Sequence, residues 1–175
     1  MCDLPRVNVG CGPLPLPGYD NLDLRAYDEW EGRTDCRLHD VREGLPFADG
    51  SVAEVRGDQF PEHLTLEELA AFLRECRRVL VERGELRLSF PDTITIAEWA
   101  AGGELDAIPE NNGRPPIEGV PPGMMVLQIH ARDEQWGHVI CVTVELLHQM
   151  VEAAGLKVDW VARCATNGLV IGRKE

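Results

Sequence analysis

The sequence predicts an α/β sandwich built around a mainly parallel β-sheet. Short apolar runs that end at Gly or Asp alternate along the chain with segments whose apolar residues recur at helical spacing. The 175 residues are 44% hydrophobic, which is enough for one compact domain with a sizeable core. The most distinctive polar residues fall directly after the predicted strands. Because ligands bind beyond the carboxyl ends of parallel strands, this placement predicts a ligand site at that edge of the sheet.

Four strands are predicted in the first third of the chain. The run RVNVG (6–10) ends at a glycine, and the second strand, NLDL (21–24), follows a link that contains the sequence PLPLP. Proline cannot propagate a helix, so the helix expected after the first strand is predicted to be shortened or replaced by a proline-rich loop. Segments 36–39 and 53–58 are the third and fourth predicted strands.

The rest of the chain predicts three helices and three strands. Thr65 and Glu68 form a capping box at the start of the clearest helix, which extends to Val81 before a stop at Gly84. A capping Thr143 opens the last helix, and the final two strands are predicted to form a hairpin, which gives the sheet an antiparallel C-terminal strand. The remaining elements are a strand over 84–90, helices over 93–101 and 143–155, and strands over 157–162 and 168–173.

Residues 104–137 differ in composition from the rest of the chain. The stretch ENNGRPPIEGVPPGMM is rich in Pro, Gly and Asn, which is typical of a loop or lid. We therefore predict a single domain over 1–175 with a loop or lid insertion at about 104–137 that supplies substrate contacts. Trp99 and Trp136 flank this region, where they either line an acceptor pocket or belong to the core.

Charge and cysteine usage argue against several functions. The formal net charge is −13, and so acidic a surface repels phosphate backbones, so no nucleic-acid partner is predicted. There is no long apolar run and no basic region followed by an apolar one at the N-terminus, which predicts a cytoplasmic protein with no membrane partner. The six cysteines form no CxxC pair and the five histidines have no HxxxH or HExxH spacing, so neither a disulfide framework nor a metal site is predicted.

Three strand ends carry residues suited to a ligand that contains a nucleoside. Gly10 and Gly12 form a turn that lets a ligand approach the backbone closely. Asp23 can accept two hydrogen bonds from a ribose diol, and Asp40 can accept one from an exocyclic amine, with Val41 packing on the base. Each feature alone also has a structural interpretation, because glycine pairs occur in ordinary turns and acidic residues at strand ends are commonly solvated. Their combination is more informative than any one of them.

Six collinear segments resemble the class I S-adenosylmethionine-dependent methyltransferases, especially the small branch labelled type 11. The segments are VNVGCG, NLDL, HDVREGLPFADGS, QFPEHL, RECRRVLVERGELRLSFPD and GHVICVTVELLHQMVEAAGLKV, and they leave only about residues 104–130 unmatched. The resemblance implies a Rossmann-like three-layer sandwich with S-adenosyl-L-methionine as cofactor. It also implies cofactor contacts from Gly10, Cys11, Gly12, Asp23, Leu24, Asp40, Val41 and Gln59.

A dinucleotide oxidoreductase is the nearest rival interpretation. Its fingerprint needs a third glycine and a helix N-terminus to hold a pyrophosphate, with an acidic residue about 20 residues further on. In this chain Pro13 follows the second glycine at once and Asp23 lies too close. The spacing therefore favours the methyltransferase.

The resemblance implies in-line displacement, in which a substrate nucleophile attacks the activated methyl group. An oxygen nucleophile usually needs a base, and His138 is the first candidate, followed by His130 and Asp92. A capping or core role suits His138 equally well. His63, beside Glu62, is interpreted as structural.

The predicted acceptor is a small metabolite, a sugar or lipid-linked glycan, or a natural-product intermediate, and a homodimer stays open. The alternative function is a non-catalytic S-adenosylmethionine-binding or regulatory module of the same fold. It is supported by the missing first helix and by Ala53 and Gln59, which replace residues common in the family. Asn8 and Pro61 are further departures from the family pattern.

Overall fold

The computed structural model describes residues 4–13, 15–25, 36–102 and 138–175. Within these ranges the helices are α1 (Leu66–Val79), α2 (Thr93–Gly102) and α3 (Val144–Ala153). The strands are β1 (Arg6–Val9), β2 (Asp20–Asp23), β3 (Cys36–Leu38), β4 (Val52–Asp58), β5 (Leu80–Pro91), β6 (Lys157–Cys164) and β7 (Asn167–Arg173).

The seven strands form one sheet in the order β3-β2-β1-β4-β5-β7-β6. The neighbours from β3 to β5 are parallel, whereas β7 runs antiparallel to β5 and β6 antiparallel to β7. Helices pack against this sheet, so the predicted fold class, with its antiparallel C-terminal hairpin, is confirmed. No helix in the described ranges is long and apolar enough to cross a bilayer.

The central strands end together at one edge of the sheet. Val9 at the end of β1 pairs with Leu22 of β2 on one side and with Gly57 of β4 on the other. Val9 and Leu22 are completely buried. This register places the glycine turn after β1, the carboxylate at the end of β2 and the turn after β4 at the same edge.

The helix α1 begins as predicted but ends earlier. Thr65 Oγ1 accepts a hydrogen bond from the Glu68 amide (3.2 Å), and Glu68 Oε2 accepts one from the Thr65 amide (2.8 Å), which confirms the capping box. The predicted helix end at Val81 is wrong, because the buried Leu80 already pairs with Val52 as the first residue of β5. The same pairing corrects the predicted strand start at Gly84.

A proline-rich link replaces a helix between β1 and β2, as predicted, and its described residues form only turns. The buried Asn21 holds this link. Its side-chain amide donates to the carbonyls of Leu16 (3.0 Å) and Tyr19 (3.1 Å), while its Oδ1 accepts from the Leu16 amide (2.8 Å). Asn8 Nδ2 also donates to this Oδ1 (2.8 Å). A pair of asparagines therefore fixes the loop that takes the place of the helix expected after β1.

The predicted insertion at 104–137 lies outside the described residues, and so does Trp136. The single-domain assignment over 1–175 stays a prediction. Trp99 lies on α2.

Candidate functional site

The turn after β1 is built from two glycines with left-handed backbone conformations. Gly10 has φ +60° and Gly12 has φ +53°, a region that favours glycine because it lacks a Cβ. A Cβ on Gly10 would come 2.6 Å from the Phe60 ring, whereas a Cβ on Gly12 would point into open space. Gly10 is therefore required by packing against the turn after β4. Gly12 leaves its backbone open to a ligand.

Asp23 at the end of β2 fastens this turn. Its Oδ2 accepts a hydrogen bond from the Gly12 amide (2.9 Å), and its Oδ1 accepts one from the Arg25 amide (2.9 Å). A carboxylate has about four lone-pair positions, so each oxygen can still accept another hydrogen bond. The next residue, Leu24, is 60% exposed and offers an apolar surface beside the carboxylate. The glycine turn and Asp23, predicted separately, thus form one unit.

Cys11, between the two glycines, turns its thiol inward. Its Sγ lies 2.9 Å from Cys36 Sγ, well beyond the length of about 2.05 Å of a disulfide bond, and both cysteines are free thiols. Burial raises the pKa of both thiols, so they stay protonated at neutral pH. Cys11 can therefore face a ligand only through its backbone.

Asp40 and Val41 follow β3, and both are already engaged. Asp40 caps the 3₁₀ turn Val41–Glu43 by accepting from the Arg42 amide (3.0 Å), and the Arg42 side chain bonds both carboxylate oxygens. Hydrogen bonding with Arg42 holds the pKa of Asp40 below its ordinary value, and Val41 belongs to the hydrophobic core. An exocyclic amine at Asp40 would have to share that carboxylate with an exposed arginine.

Gln59 follows β4 directly and has a left-handed conformation (φ +53°) that is uncommon for a residue with a side chain. Its amide donates to the Ser89 carbonyl (2.9 Å), and its exposed side-chain amide lies 3.4 Å from Asn167 Oδ1. The strained turn directs the chain into Phe60, which contacts Gly10. Gln59 therefore lies at the same edge as the glycine turn.

Asp92, a candidate base, is saturated with hydrogen bonds. It is fully buried, and it accepts from the amide and hydroxyl of Thr95, from the Val144 amide (3.1 Å) and from Arg163 Nε (2.9 Å). Burial alone would raise the pKa of Asp92, but these hydrogen bonds outweigh it and lower the pKa. The contacts join the starts of α2 and α3 to β6, which favours a structural role over proton transfer.

His138, the first candidate base, lies beside two residues from the turn after β4. The rings of His63 and His138 are edge to face with centroids 4.9 Å apart, and the Glu62 carboxylate completes a group whose nitrogen and oxygen atoms lie within 4.8 Å of one another. His130 lies outside the described residues. His63, interpreted from sequence as structural, thus shares a site with the first candidate base.

Glu62 was missed by sequence reasoning as a functional residue. It is 2% exposed, and neither carboxylate oxygen has a hydrogen-bond partner among the described residues. Burial raises the pKa of Glu62 to about 8. The sequence signal that could have indicated its burial is its position among the apolar residues Phe60, Pro61 and Leu64. The structure shows that all three are buried.

Of the comparisons with known proteins, only the one with solved structures indicates a fold. No protein-family model matches the sequence, and comparison with curated protein sequences gives no match either. Among solved structures, the chain is similar to an S-adenosylmethionine-dependent methyltransferase from Mesorhizobium loti (TM-score 0.65, 16% identity, covering 98% of this chain and 91% of that one).

Two further structures give the same result. A S-adenosylmethionine-dependent methyltransferase from Thermotoga maritima matches with a TM-score of 0.65 and 13% identity over 100% of this chain and 84% of the other. Magnesium protoporphyrin IX methyltransferase from Synechocystis PCC 6803, with bound SAH, matches with a TM-score of 0.57 and 13% identity over 98% and 74%. The chain therefore has the fold of the class I S-adenosylmethionine-dependent methyltransferases.

Proposed function

We propose that this protein binds S-adenosyl-L-methionine and transfers its methyl group to a small-molecule acceptor. The observation that carries the proposal is the bond between the Gly12 amide and Asp23, which joins an open backbone turn to a carboxylate at the carboxyl edge of a methyltransferase sheet. The cofactor would supply an activated methyl group on a sulfonium. The protein has to bind it, align the acceptor and exclude water.

The residues at this edge suit the nucleoside part of the cofactor. Asp23 keeps lone pairs that can accept hydrogen bonds from ribose hydroxyls. Leu24 offers apolar surface for the adenine, and the absence of a Cβ at Gly12 lets the cofactor lie against the backbone. Asp40 would accept from the adenine amine only on a lone pair that Arg42 leaves open.

The type 11-like branch and the class of acceptor are part of the same proposal. Some small members of that branch replace the first helix with a proline-rich loop, and the link held by Asn21 has this form. A net charge of −13 disfavours nucleic acid and suits a neutral or cationic acceptor. An acceptor small enough to lie at the sheet edge would come near the group formed by Glu62, His63 and His138.

A non-catalytic cofactor-binding module is the second candidate. It is favoured by the hydrogen bonds that already occupy the Asp92 carboxylate, because they remove one candidate general base from the described part of the chain. Both candidates require cofactor binding, and only methyl transfer separates them. Screening acceptors with radiolabelled cofactor decides between them once binding is established.

Calorimetric titration of the full chain with S-adenosylmethionine and S-adenosylhomocysteine tests the proposal. Both ligands are expected to bind, NAD is not, and Asp23→Ala should weaken binding at least about tenfold because hydrogen bonds to a charged group are lost. Asp20→Ala is the matched control, since Asp20 is an exposed carboxylate at the opposite end of the same strand. Absence of binding to either sulfur ligand would contradict the proposal.

A further inference from the structure

The most unusual group in the described structure is the Glu62 carboxylate. A buried carboxylate is normally hydrogen-bonded, paired with a cation or bound to a metal, because an isolated buried charge is strongly unfavourable. Glu62 is 2% exposed, and its two carboxylate oxygens have no hydrogen-bond partner among the described residues. Protonation alone does not solve this problem, because a neutral carboxyl group also has a donor and an acceptor that need partners.

Two imidazole side chains, a type that commonly ligates metals, lie beside Glu62. One ligating atom each from Glu62, His63 and His138 lies within 4.8 Å of the other two, and both histidines are partly buried. Ligands of a tetrahedral ion at 2.0–2.2 Å lie about 3.4 Å apart, so modest side-chain rotations would bring all three into a single coordination sphere.

The backbone holds the two segments of this site together. The Glu62 carbonyl accepts hydrogen bonds from the amides of Val139 (2.8 Å) and Ile140 (3.3 Å). The turn after β4 is thereby fastened to the segment that leads into α3, which places His138 beside Glu62 and His63. These contacts do not involve the ligating side chains, so they hold the two segments together without an ion.

We propose that Glu62, His63 and His138 bind a divalent transition-metal ion of the zinc type. Two imidazoles and one carboxylate suit zinc and its first-row neighbours, and three protein ligands leave a coordination position for water or for an oxygen of a substrate. The ion would neutralise the buried carboxylate. His138 would then serve as a ligand rather than as a general base, and the metal would activate an acceptor hydroxyl as a Lewis acid.

The site explains why sequence spacing predicted no metal. His63 and His138 lie far apart in the chain and belong to different segments, so no HxxxH or HExxH pattern could reveal them. The proposal does not depend on methyl transfer, because ion binding is measured without cofactor.

Zinc titration of the chelator-treated full chain tests the proposal, with a competing chromogenic chelator to report affinity. The wild-type chain is expected to bind one equivalent of Zn²⁺. Glu62→Gln, His63→Ala and His138→Ala should each weaken binding at least about tenfold, because removing a ligating side chain costs more than removing a residue that only orients a ligand. The control His148→Ala removes an exposed histidine paired with Glu152 and should leave binding unchanged.

Two further measurements keep the test decisive. Co²⁺ substitution in the wild-type chain should give a spectrum without thiolate charge-transfer absorption, and this needs no variant that could fail to fold. Asp23→Ala should bind zinc as the wild type does, which separates this proposal from cofactor binding. No zinc binding by the wild type, equal binding by the ligand variants, or a cobalt–thiolate band that disappears in Cys11→Ser would overturn the proposal.

Discussion

Two buried carboxylates follow neighbouring strands of the sheet, and their surroundings are opposite. Asp92 after β5 is fully buried and accepts hydrogen bonds from Thr95, Val144 and Arg163. Glu62 after β4 is equally buried, but its oxygens have no such partner in the described ranges. The pKa is lowered at Asp92 and raised to about 8 at Glu62. A carboxylate that follows a strand is therefore a candidate functional residue by its position alone. Its hydrogen-bond partners show whether it has a structural role, as at Asp92, or is available for a ligand, as at Glu62.

Asp92→Ala should give the largest loss of stability. The substitution leaves the Val144 amide and the Thr95 groups without an acceptor and separates β6 from the starts of α2 and α3. Breaking such a buried network is expected to reduce the free energy of unfolding by about 3–5 kcal/mol, measured by urea denaturation at pH 7. A loss below about 1 kcal/mol would show that Asp92 is not the structural member of the pair.

Glu62 should make the metal-free protein less stable as pH rises. The folded protein keeps a proton with a pKa of about 8 that the unfolded chain releases near its ordinary value of about 4.3, so stability falls between those pH values. Between pH 5 and pH 8 the free energy of unfolding of Glu62→Gln should therefore increase by roughly 2–4 kcal/mol relative to that of the wild type, measured by urea denaturation with chelator present.

Asp92→Asn provides the matched control for that pH series. Because the pKa of Asp92 is lowered, its contribution is present above its ordinary value of about 3.9 and is lost as pH falls through the lower folded value. The stability advantage of the wild type over Asp92→Asn should therefore stay constant between pH 5 and pH 8 and shrink only in stronger acid, whereas the wild type loses stability relative to Glu62→Gln between pH 5 and pH 8. If the free energies of unfolding of the wild type and Glu62→Gln changed in parallel with pH, the raised pKa of Glu62 would be contradicted.

Among the substitutions around these two carboxylates, Arg163→Gln should change the free energy of unfolding least. The guanidinium donates to Asp92 but is 40% exposed, so its loss is expected to reduce the free energy of unfolding by about 1 kcal/mol. Arg173→Gln, which breaks an ion pair with Asp159 on the exposed hairpin, is the control and should change it by less than about 0.5 kcal/mol. Equal effects of the two substitutions would mean that Thr95 and Val144 alone hold Asp92.

The parts of the molecule that sequence reasoning could predict are those set by local patterns. The capping box at Thr65 and Glu68 needs only residues three apart, and the alignment of Gly12 with Asp23 follows from the rule that parallel strands end at one edge. The start of β5 at Leu80 could not be predicted in this way, because it is set by pairing with Val52 from another part of the chain.

The contact between His138 and Glu62 could not be predicted from the sequence for the same reason. His138 comes beside Glu62 only because the Val139 and Ile140 amides bond to the Glu62 carbonyl, a contact between distant segments. Asp92 suggested a base because it follows a strand, and only its contacts with α3 and β6 reveal the structural alternative. Cofactor binding by the strand-end residues, and the homodimer, stay predictions.

Cofactor binding at the glycine turn and Asp23 can be observed residue by residue in an amide nitrogen–proton correlation spectrum of the ¹⁵N-labelled full chain titrated with S-adenosylhomocysteine. We predict shifts of the Gly10, Gly12 and Leu24 amides, with Gly155 and Gly172 unchanged as internal controls remote from that edge of the sheet. An unchanged spectrum, or shifts confined to other residues, would contradict a cofactor site at the glycine turn and Asp23.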